Sequence, residues 1–273
     1  MTGYNRTALV ESYRRIGLEA GLVIYITGNL GRLGFPVDAQ GEPVRDKRAI
    51  AMMHIEVIEE IIGPEGTIVF PTHSWGEVGT ESVFDPLGTA CDYFLSQCLL
   101  ESREARRQVH PFASSAAIGR AAADIISDGL SPHAYSYDSP MASLAERNAL
   151  HVSVGIPVAR SISSVHYCEQ VAQVPYRYVK AFHKDVRQNG NITREEVYLH
   201  VLYRTPSLVL ERDHNKTIMA LPRIASSLSR SPLGRSFVES VPLDIFIPET
   251  IRAMRRDPYI WLRSITGNRP WMR

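Results

Sequence analysis

The sequence predicts a three-layer α/β fold with a largely parallel central sheet and a β-rich C-terminal insertion. Three short apolar runs, at residues 22–26, 67–70 and 150–155, each precede a segment with helical periodicity. Strands that alternate with helices favour parallel pairing, because each helix returns the chain to the same end of the sheet. From about residue 176 the pattern changes to strand-like runs, which indicate the insertion.

The first elements are defined by periodicity and by residues typical of helix ends. Residues 7–19 are predicted to form a helix, and the strand at 22–26 follows it. The glycine-rich stretch 27–34 then lies at the carboxyl end of that strand, where ligands bind in open α/β sheets. Asp46 is predicted to cap a helix over residues 46–62.

The remaining elements follow from the same rules of periodicity and flanking residues. In chain order they are a strand at 67–70, helices at 89–106 and 116–127, a strand at 150–155, a helix at 165–174, strands at 197–203 and 207–211, and a helix at 243–256. No internal repeat or linker interrupts them. We therefore expect one domain over residues 5–265 and a C-terminal tail at 266–273.

The composition is that of an ordinary globular protein. The chain has 273 residues, 44% of them hydrophobic and 22% charged, with a net charge of +1. A charge so close to zero argues against a nucleic acid or an anionic membrane as a partner. Cys91, Cys98 and Cys168 form no CxxC pair and no secretory leader precedes them, so we expect reduced thiols in the cytoplasm.

The segment 163–169 carries the clearest sign of catalysis. If Ser163 or Ser164 caps a helix, His166 lies in its first turn, where the helix dipole disfavours an imidazolium ion. Glu169 lies one turn further on the same face and can orient the ring or stabilise the proton that it accepts. The alternative is a surface histidine and glutamate at an ordinary helix start.

Two other segments are candidate ligand sites. His110 and Ser114 precede the predicted helix at 116–127, whose N-terminal N–H groups can bind a phosphate or an oxyanion. The alternative is an ordinary capped helix packed on the sheet. The loop at 27–34 lacks both the GxGxxG spacing and the P-loop lysine, so it indicates nucleotide binding only weakly.

The segment after the second strand has two interpretations of its own. Thr72 and His73 can place a hydroxyl or an imidazole at the edge of the sheet where the other loops lie. Alternatively, Trp75 anchors the core and His73 is a buried polar residue with its hydrogen bonds satisfied.

The C-terminal part of the chain is basic and aromatic. Such a segment can bind a nucleic acid or a membrane surface, but in a nearly neutral chain a solvated helix face or a subunit contact is the better interpretation. Exposed aromatic residues there are compatible with a homodimer. The residues concerned are Arg252, Arg255, Arg256, Trp261, Arg263, Arg269, Trp271 and Arg273.

Taken in order, these motifs resemble the aminoglycoside 3-N-acetyltransferase family, which includes amino-sugar acetyltransferases of surface-polysaccharide pathways. Residues 66–75 are similar to the family pattern GTLVMPTFSW, and residues 107–119 to RSxHPxxSxAAxG. Residues 138–140, Asp-Ser-Pro, stand where the family has Gly- or Asp-Ser-Pro, and residues 163–169 are similar to TSLHLAE. The likeness covers residues 5–265.

The resemblance implies the fold of the antibiotic N-acetyltransferases and direct acetyl transfer from acetyl-CoA, without a metal. His166 matches the catalytic histidine, which accepts the proton of the attacking amine, and Glu169 matches the glutamate that supports it. A small amine-bearing sugar is the implied second substrate. The implied cofactor-binding residues are Thr27, Asn29, Thr72, His110, Ser114, Ser163 and Ser164.

One departure from the family concerns the loop after the first strand. The family commonly has His-Ser-Ser-Leu there, and this chain has Thr27-Gly28-Asn29-Leu30. Aminoglycosides are polycations, yet no dense acidic run lies near the predicted site. Charge therefore favours an anionic nucleotide-linked amino sugar, used for lipopolysaccharide or another surface glycan, over an aminoglycoside acceptor in antibiotic resistance.

Two other functions remain as alternatives. A metal-dependent deacylase or other hydrolase would use His73, His110 and His166 as ligands, but no HxH or HExxH motif supports it. A non-catalytic member of the family would keep the fold for interaction. His166 and Glu169 argue against that role, whereas the altered loop at 27–34 argues for it.

Overall fold

The computed structural model describes residues 3–272, and Met1, Thr2 and Arg273 lie outside the described residues. The strands are β1 (Val23–Gly28), β2 (Thr67–Pro71), β3 (Val83–Phe84), β4 (Arg106–Arg107), β5 (Ser115–Gly119), β6 (Leu150–Val154), β7 (Arg177–Gln188), β8 (Asn191–Leu202), β9 (Leu208–Arg212), β10 (Ser229–Leu233), β11 (Ser236–Pro242) and β12 (Leu262–Gly267). The helices are α1 (Arg6–Arg15), α2 (Lys47–Ile62), α3 (Phe94–Ser102), α4 (Ala122–Ile125), α5 (Pro140–Glu146), α6 (Val158–Ser161), α7 (Ser164–Ala172), α8 (Lys216–Met219), α9 (Pro222–Ser227) and α10 (Leu243–Arg256).

A seven-stranded sheet in the order β10-β11-β6-β1-β2-β5-β4 forms the centre of the molecule. β1 pairs in parallel with β2 on one side and with β6 on the other. The outer strands on both sides pair antiparallel. The α/β fold class is confirmed, and the three central parallel strands deliver the loops that follow them to one edge of the sheet.

Helices cover both faces of this sheet, because successive strand residues point to opposite sides. Ile24 of β1 joins a core with Tyr13 of α1 and Ile55 of α2. Tyr25, the next residue, joins a second core with Val165 of α7 on the opposite face. Helix α7, which carries the predicted catalytic pair, is thus held against the sheet.

Helix α2 begins and ends where its end signals predict. The carboxylate of Asp46 accepts a hydrogen bond from the N–H of Ala49 at 2.8 Å, and Gly63 ends the helix with a φ of 65°. Helix α3 is shorter than the predicted 89–106. The first residues of the predicted range, 89–93, form an irregular segment instead. This segment is held in place because the carboxylate of Asp92 accepts a hydrogen bond from the N–H of Trp75 at 2.9 Å.

The alanine-rich segment at 116–127 is a strand followed by one helical turn, so the predicted helix is wrong. In β5, Ala116 pairs with Phe70 and Ala117 with Val69 of β2, and both alanines are fully buried. Tertiary pairing overrides the helix propensity of alanine here, because small side chains fit between the sheet and its covering layers. No helix begins at 114–116, so the segment has neither the helix N-terminus that an anion site would use nor the capped helix of the alternative interpretation.

The C-terminal region is rich in strands, as predicted. β7 and β8 form a long antiparallel hairpin that pairs with β3, and β9 pairs with β12. The sequence pattern missed β7 because most of its first seven residues are exposed and its residues are largely charged or polar. Among residues 3–272, no helix is both long enough and apolar enough to cross a membrane.

The tryptophans near the C-terminus were expected to be exposed, but both are at least partly buried. Only 4% of Trp261 is accessible, and the half-buried Trp271 donates from its indole N–H to the hydroxyl of Tyr259 at 3.0 Å. These side chains therefore give no support to a homodimer. Arg273, the last of the basic tail residues, lies outside the described residues.

Candidate active site

Helix α7 brings His166 and Glu169 into contact. Nδ1 of His166 lies 2.9 Å from Oε2 of Glu169. The Glu169 side chain is fully buried, whereas 28% of the His166 side chain remains exposed. An ionised Glu169 accepts a hydrogen bond from the N–H of Nδ1, and this tautomer leaves the lone pair on Nε2 available to accept a proton.

The environment keeps the glutamate charged and the histidine neutral. Burial would raise the pKa of Glu169, but the hydrogen bond from His166 and the charge of Arg177 outweigh it, and the pKa is lowered. Burial lowers the pKa of His166 against the opposing hydrogen bond to Glu169. A neutral imidazole beside a carboxylate is the state that a general base requires.

Arg177, the first residue of β7, completes this cluster. Its Nε donates to Oε1 of Glu169 at 2.7 Å, and its Nη1 donates to the carbonyl of His200 at 2.7 Å. No sequence signal points to it, because an arginine at a strand start is ordinary and the partner strand β8 is needed to aim it.

Neither Ser163 nor Ser164 caps helix α7 as predicted. Ser163 occupies the N-cap position, but its backbone is helical and its side chain makes no capping hydrogen bond. A capping side chain requires an extended backbone at that position. Ser163 instead lines a cavity together with His166, while Ser164 is fully buried and its hydroxyl has no hydrogen-bond partner among the described residues.

A cavity of about 380 Å³ lies at the carboxyl edge of the central strands. His166, Thr27 and Ser163 contribute polar groups to its wall. Trp261 meets the imidazole of His166 edge to face, with ring centroids 5.4 Å apart, and Tyr93 closes another side. The cavity therefore combines a base, hydroxyl groups and flat aromatic walls.

A second cavity of about 610 Å³ adjoins the first along the loop after β1. Asn29 lines it, and the side-chain oxygen of Asn29 accepts the N–H of Gly31 at 3.1 Å. Lys47 and Arg235 supply two positive charges to its wall, and Asp92 supplies one negative charge. The residues common to the two cavities are Gly28, Tyr93 and Leu95.

Two other predicted cofactor residues lie beneath these cavities rather than in their walls. Thr72 and Ser114 are fully buried, and their hydroxyl oxygens are 2.8 Å apart. Arg107 donates to the carbonyl of Thr72 at 2.8 Å and to the hydroxyl of Ser114 at 3.3 Å. This network fixes the segment that follows β2 and supports Pro71 in the wall of the first cavity.

His110 is also fully buried and lines neither cavity. Its Nδ1 accepts the N–H groups of Phe112 at 3.2 Å and Ala113 at 3.1 Å, so it closes the turn before β5. Burial lowers the pKa of His110 to about 4, which keeps the ring neutral.

His73 supports the aromatic wall of the site. Its Nδ1 lies 3.2 Å from the hydroxyl of Tyr93, and burial lowers the pKa of His73 to about 3. Among residues 3–272, no group of three or more His, Cys, Asp or Glu side chains is arranged to hold a metal ion.

The last residue of β1 approaches β6 so closely that only glycine fits at residue 28. Gly28 has a φ of 135°, and an added Cβ would lie 2.3 Å from the carbonyl oxygen of Val154. Thr27, just before it, shares a 2.7 Å hydrogen bond with Nε2 of the buried His151. The contacts between β1 and β6 therefore require glycine at residue 28, where the family's His-Ser-Ser-Leu pattern has serine.

We expect Gly28→Ala to lower the free energy of unfolding by about 3 kcal/mol, since it adds a backbone clash to an unfavourable φ. Urea denaturation measures the change. Gly21→Ala is the matched control, because Gly21 has a φ of 81° with nothing within 4 Å of the added Cβ. It should cost about 1 kcal/mol. Equal losses in the two variants would contradict the close contact with Val154.

Comparisons with known proteins identify the family. A family model described as aminoglycoside 3-N-acetyltransferase matches residues 45–234. The chain is 29% identical over 231 residues to aminoglycoside N(3)-acetyltransferase IV from Salmonella sp, covering 80% of this chain and 79% of the relative.

Solved structures of such enzymes share the fold. The crystal structure of aminoglycoside acetyltransferase AAC(3)-IIb matches with a TM-score of 0.75 at 17% identity, over 94% of this chain and 98% of that one. A mutant of AAC(3)-IVa in complex with a gentamicin matches with a TM-score of 0.74 at 22% identity, over 97% and 93%. The chain therefore belongs to the aminoglycoside 3-N-acetyltransferase family and is an acyl-CoA-dependent N-acyltransferase.

Proposed function

We propose that this chain transfers the acetyl group of acetyl-CoA to an amine of an amino sugar, with His166 as the general base. The observation that carries the proposal is the imidazole of His166, held through Nδ1 by the buried Glu169 at 2.9 Å in the wall of a cavity. A sugar ammonium must lose a proton before it can attack a thioester, and Nε2 is free to accept that proton.

The reaction needs no covalent intermediate on the protein. The amine nitrogen bonds to the acetyl carbonyl carbon, the carbon–sulfur bond breaks, and the departing CoA sulfur takes up the proton held by His166. The tetrahedral oxyanion requires hydrogen-bond donors between these events. Thr27 and Ser163 are the hydroxyl groups that line the same cavity as His166, and we assign them this role.

The two adjoining cavities form the site that we assign to acetyl-CoA. The thioester must lie near His166 in the first cavity. The phosphates lie at the far end of the pantetheine arm, and Lys47 and Arg235 in the second cavity supply positive charge for them. Asn29 lies on this path. Four predicted cofactor residues are buried and line neither cavity, so we assign them no direct contact with the donor: Thr72, His110, Ser114 and Ser164.

An aminoglycoside-type amino sugar is the acceptor class that the comparisons favour over the nucleotide-linked sugar preferred from the sequence. The family model and the Salmonella relative are named for aminoglycoside 3-N-acetylation, and one structural match was solved with a gentamicin. Trp261 adds an apolar side chain to the wall of this cavity beside His166.

One observation favours an anionic, nucleotide-linked amino sugar as the second candidate. Arg160 and Arg212 line the same cavity as His166. Among the residues that the structure describes, none in the wall of this cavity carries a carboxylate. A polycation gains little from such a wall, whereas a sugar phosphate can pair with both guanidinium groups.

The test is a thiol-release assay with acetyl-CoA and a panel of acceptors. The panel contains gentamicin, sisomicin, apramycin and nucleotide-linked amino sugars. We expect acceptor-dependent release with at least one aminoglycoside, at a kcat/KM about tenfold or more above that for any nucleotide-linked sugar. The reverse order, with a loss on the Arg160→Gln and Arg212→Gln double variant, would select the second candidate.

Mass spectrometry of the product should show one added acetyl group on the acceptor. The assay contradicts the proposed function if no amine in the panel accelerates thiol release and calorimetry shows no binding of acetyl-CoA. Hydrolysis of acetyl-CoA at the same rate with and without an amine would also contradict it, since the acceptor would then be water.

A further inference from the structure

We propose that Arg177 is a positioning residue that neutralises the charge of Glu169 and so keeps His166 ready to accept a proton at neutral pH. This inference rests on the proposed function, in which His166 is the base. The arginine lies beyond the end of helix α7, and the hairpin of β7 and β8 holds it against the pair.

The contacts of Arg177 fix its guanidinium in one place. It donates to Oε1 of Glu169 and to the carbonyl of His200, both at 2.7 Å, and it lies over the ring of Trp261 at 5.7 Å. Only 7% of its side chain is exposed. Two hydrogen bonds and the tryptophan ring thus hold the guanidinium, which leaves it little freedom to move away from the carboxylate.

Without Arg177, the negative charge of Glu169 would raise the pKa of His166 and so reduce the fraction of neutral imidazole that can act as a base. An imidazole hydrogen-bonded to a buried, uncompensated carboxylate binds a proton more tightly, because the imidazolium and the carboxylate attract each other strongly where water is excluded. Arg177 cancels most of that attraction. In addition, its Nη2 lies 3.3 Å from Nδ1 of His166, so an imidazolium would face a second positive charge.

The other groups around His166 do not replace this effect. His73 and His200 are neutral, since burial lowers their pKa values to about 3 and about 4. The ring of Tyr135 lies 5.8 Å away, and burial raises the pKa of its hydroxyl, which stays uncharged. Arg212 lines the same cavity as His166, and its charge adds to the effects of burial and of Arg177 in lowering the pKa of His166. It is exposed, however, and its guanidinium lies over the ring of Trp261 at 5.6 Å rather than against Glu169.

The experiment is an NMR titration of the histidine rings in the full chain, with the His166 signal assigned by its loss in His166→Asn. In Arg177→Gln we expect the pair of His166 and Glu169 to take up its proton about one pH unit higher than in the wild type. The acid limb of kcat/KM should move upward by the same amount. Arg177→Lys keeps the charge and should restore most of the wild-type titration.

Arg212→Gln is the matched control, because it removes an equal charge beside the same tryptophan but no contact with Glu169. It should move the titration less than Arg177→Gln does. Equal titrations in the wild type and in Arg177→Gln, or equal shifts in the Lys and Gln variants, would overturn the inference. The titration needs no turnover, so it stays informative even if His166→Asn retains activity and the proposed function fails.

Discussion

Replacing His166 by asparagine is expected to reduce kcat/KM for acetyl transfer by about a thousandfold, the usual contribution of a positioned general base. The Asn amide can still donate to Oε2 of Glu169, so the buried carboxylate keeps a partner and the fold survives. What the variant lacks is the lone pair of Nε2. The measurement is thiol release with the best acceptor of the panel, alongside a thermal melt.

His183→Asn is the control for this experiment, since His183 is an exposed histidine on β7 that pairs with Glu196. Its kcat/KM should stay within about twofold of the wild type. The wild-type enzyme should also keep its activity to a pH below the ordinary histidine value of about 6.5, because burial lowers the pKa of His166. Wild-type rates in a folded His166→Asn protein would exclude His166 as the base.

Replacing Arg107 by methionine is expected to lower the free energy of unfolding by about 3 to 5 kcal/mol, because it removes the hydrogen bonds of the guanidinium to several buried and partly buried acceptors. Arg107 is 6% exposed, and each group that it contacts is neutral. Burial lowers the pKa of its guanidinium to about 10, and Phe84 lies 5.1 Å beneath it. The acceptors are the carbonyls of Thr72, Pro86 and Thr89 and the hydroxyls of Ser74 and Ser114.

Chemical denaturation measures the loss, and the melting temperature should fall by about 10 °C. Arg106→Met is the neighbouring control, since Arg106 pairs with the exposed Asp128 and such surface pairs contribute at most about 1 kcal/mol. A variant at Arg107 as stable as the one at Arg106 would show that the buried network contributes little. Loss of the network should also raise the KM for acetyl-CoA, because the segment after β2 forms part of the cavity wall.

The predictable parts of the fold are the elements whose own residues indicate their secondary structure. β1, β2 and β6 are largely apolar, and α2 has a capping aspartate and a terminal glycine. β5 could not be predicted, because its alanines favour a helix and only pairing with β2 makes them a strand. β7 was missed for a related reason, since its polar residues acquire strand structure from β8.

The same division holds for the site. His166 and Glu169 are three residues apart on one helix, so their contact could be predicted from the sequence. The family resemblance then implies that the pair is catalytic. Arg177, Trp261 and His151 lie on other elements, and each meets the site only after the sheets have assembled. The predicted cap at Ser163 is wrong because the backbone of this residue is already helical. Residue types alone do not reveal that backbone conformation.

The contact of Gly28 with Val154 bears on how this enzyme can diverge from its relatives. A side chain at residue 28 has to displace the backbone of β6, which is a central strand and cannot move by itself. The loop of another family member, with serine at that place, therefore cannot be grafted alone into this protein. Its exchange requires a matched change in the neighbouring strand, so a redesign has to treat the two segments as one unit.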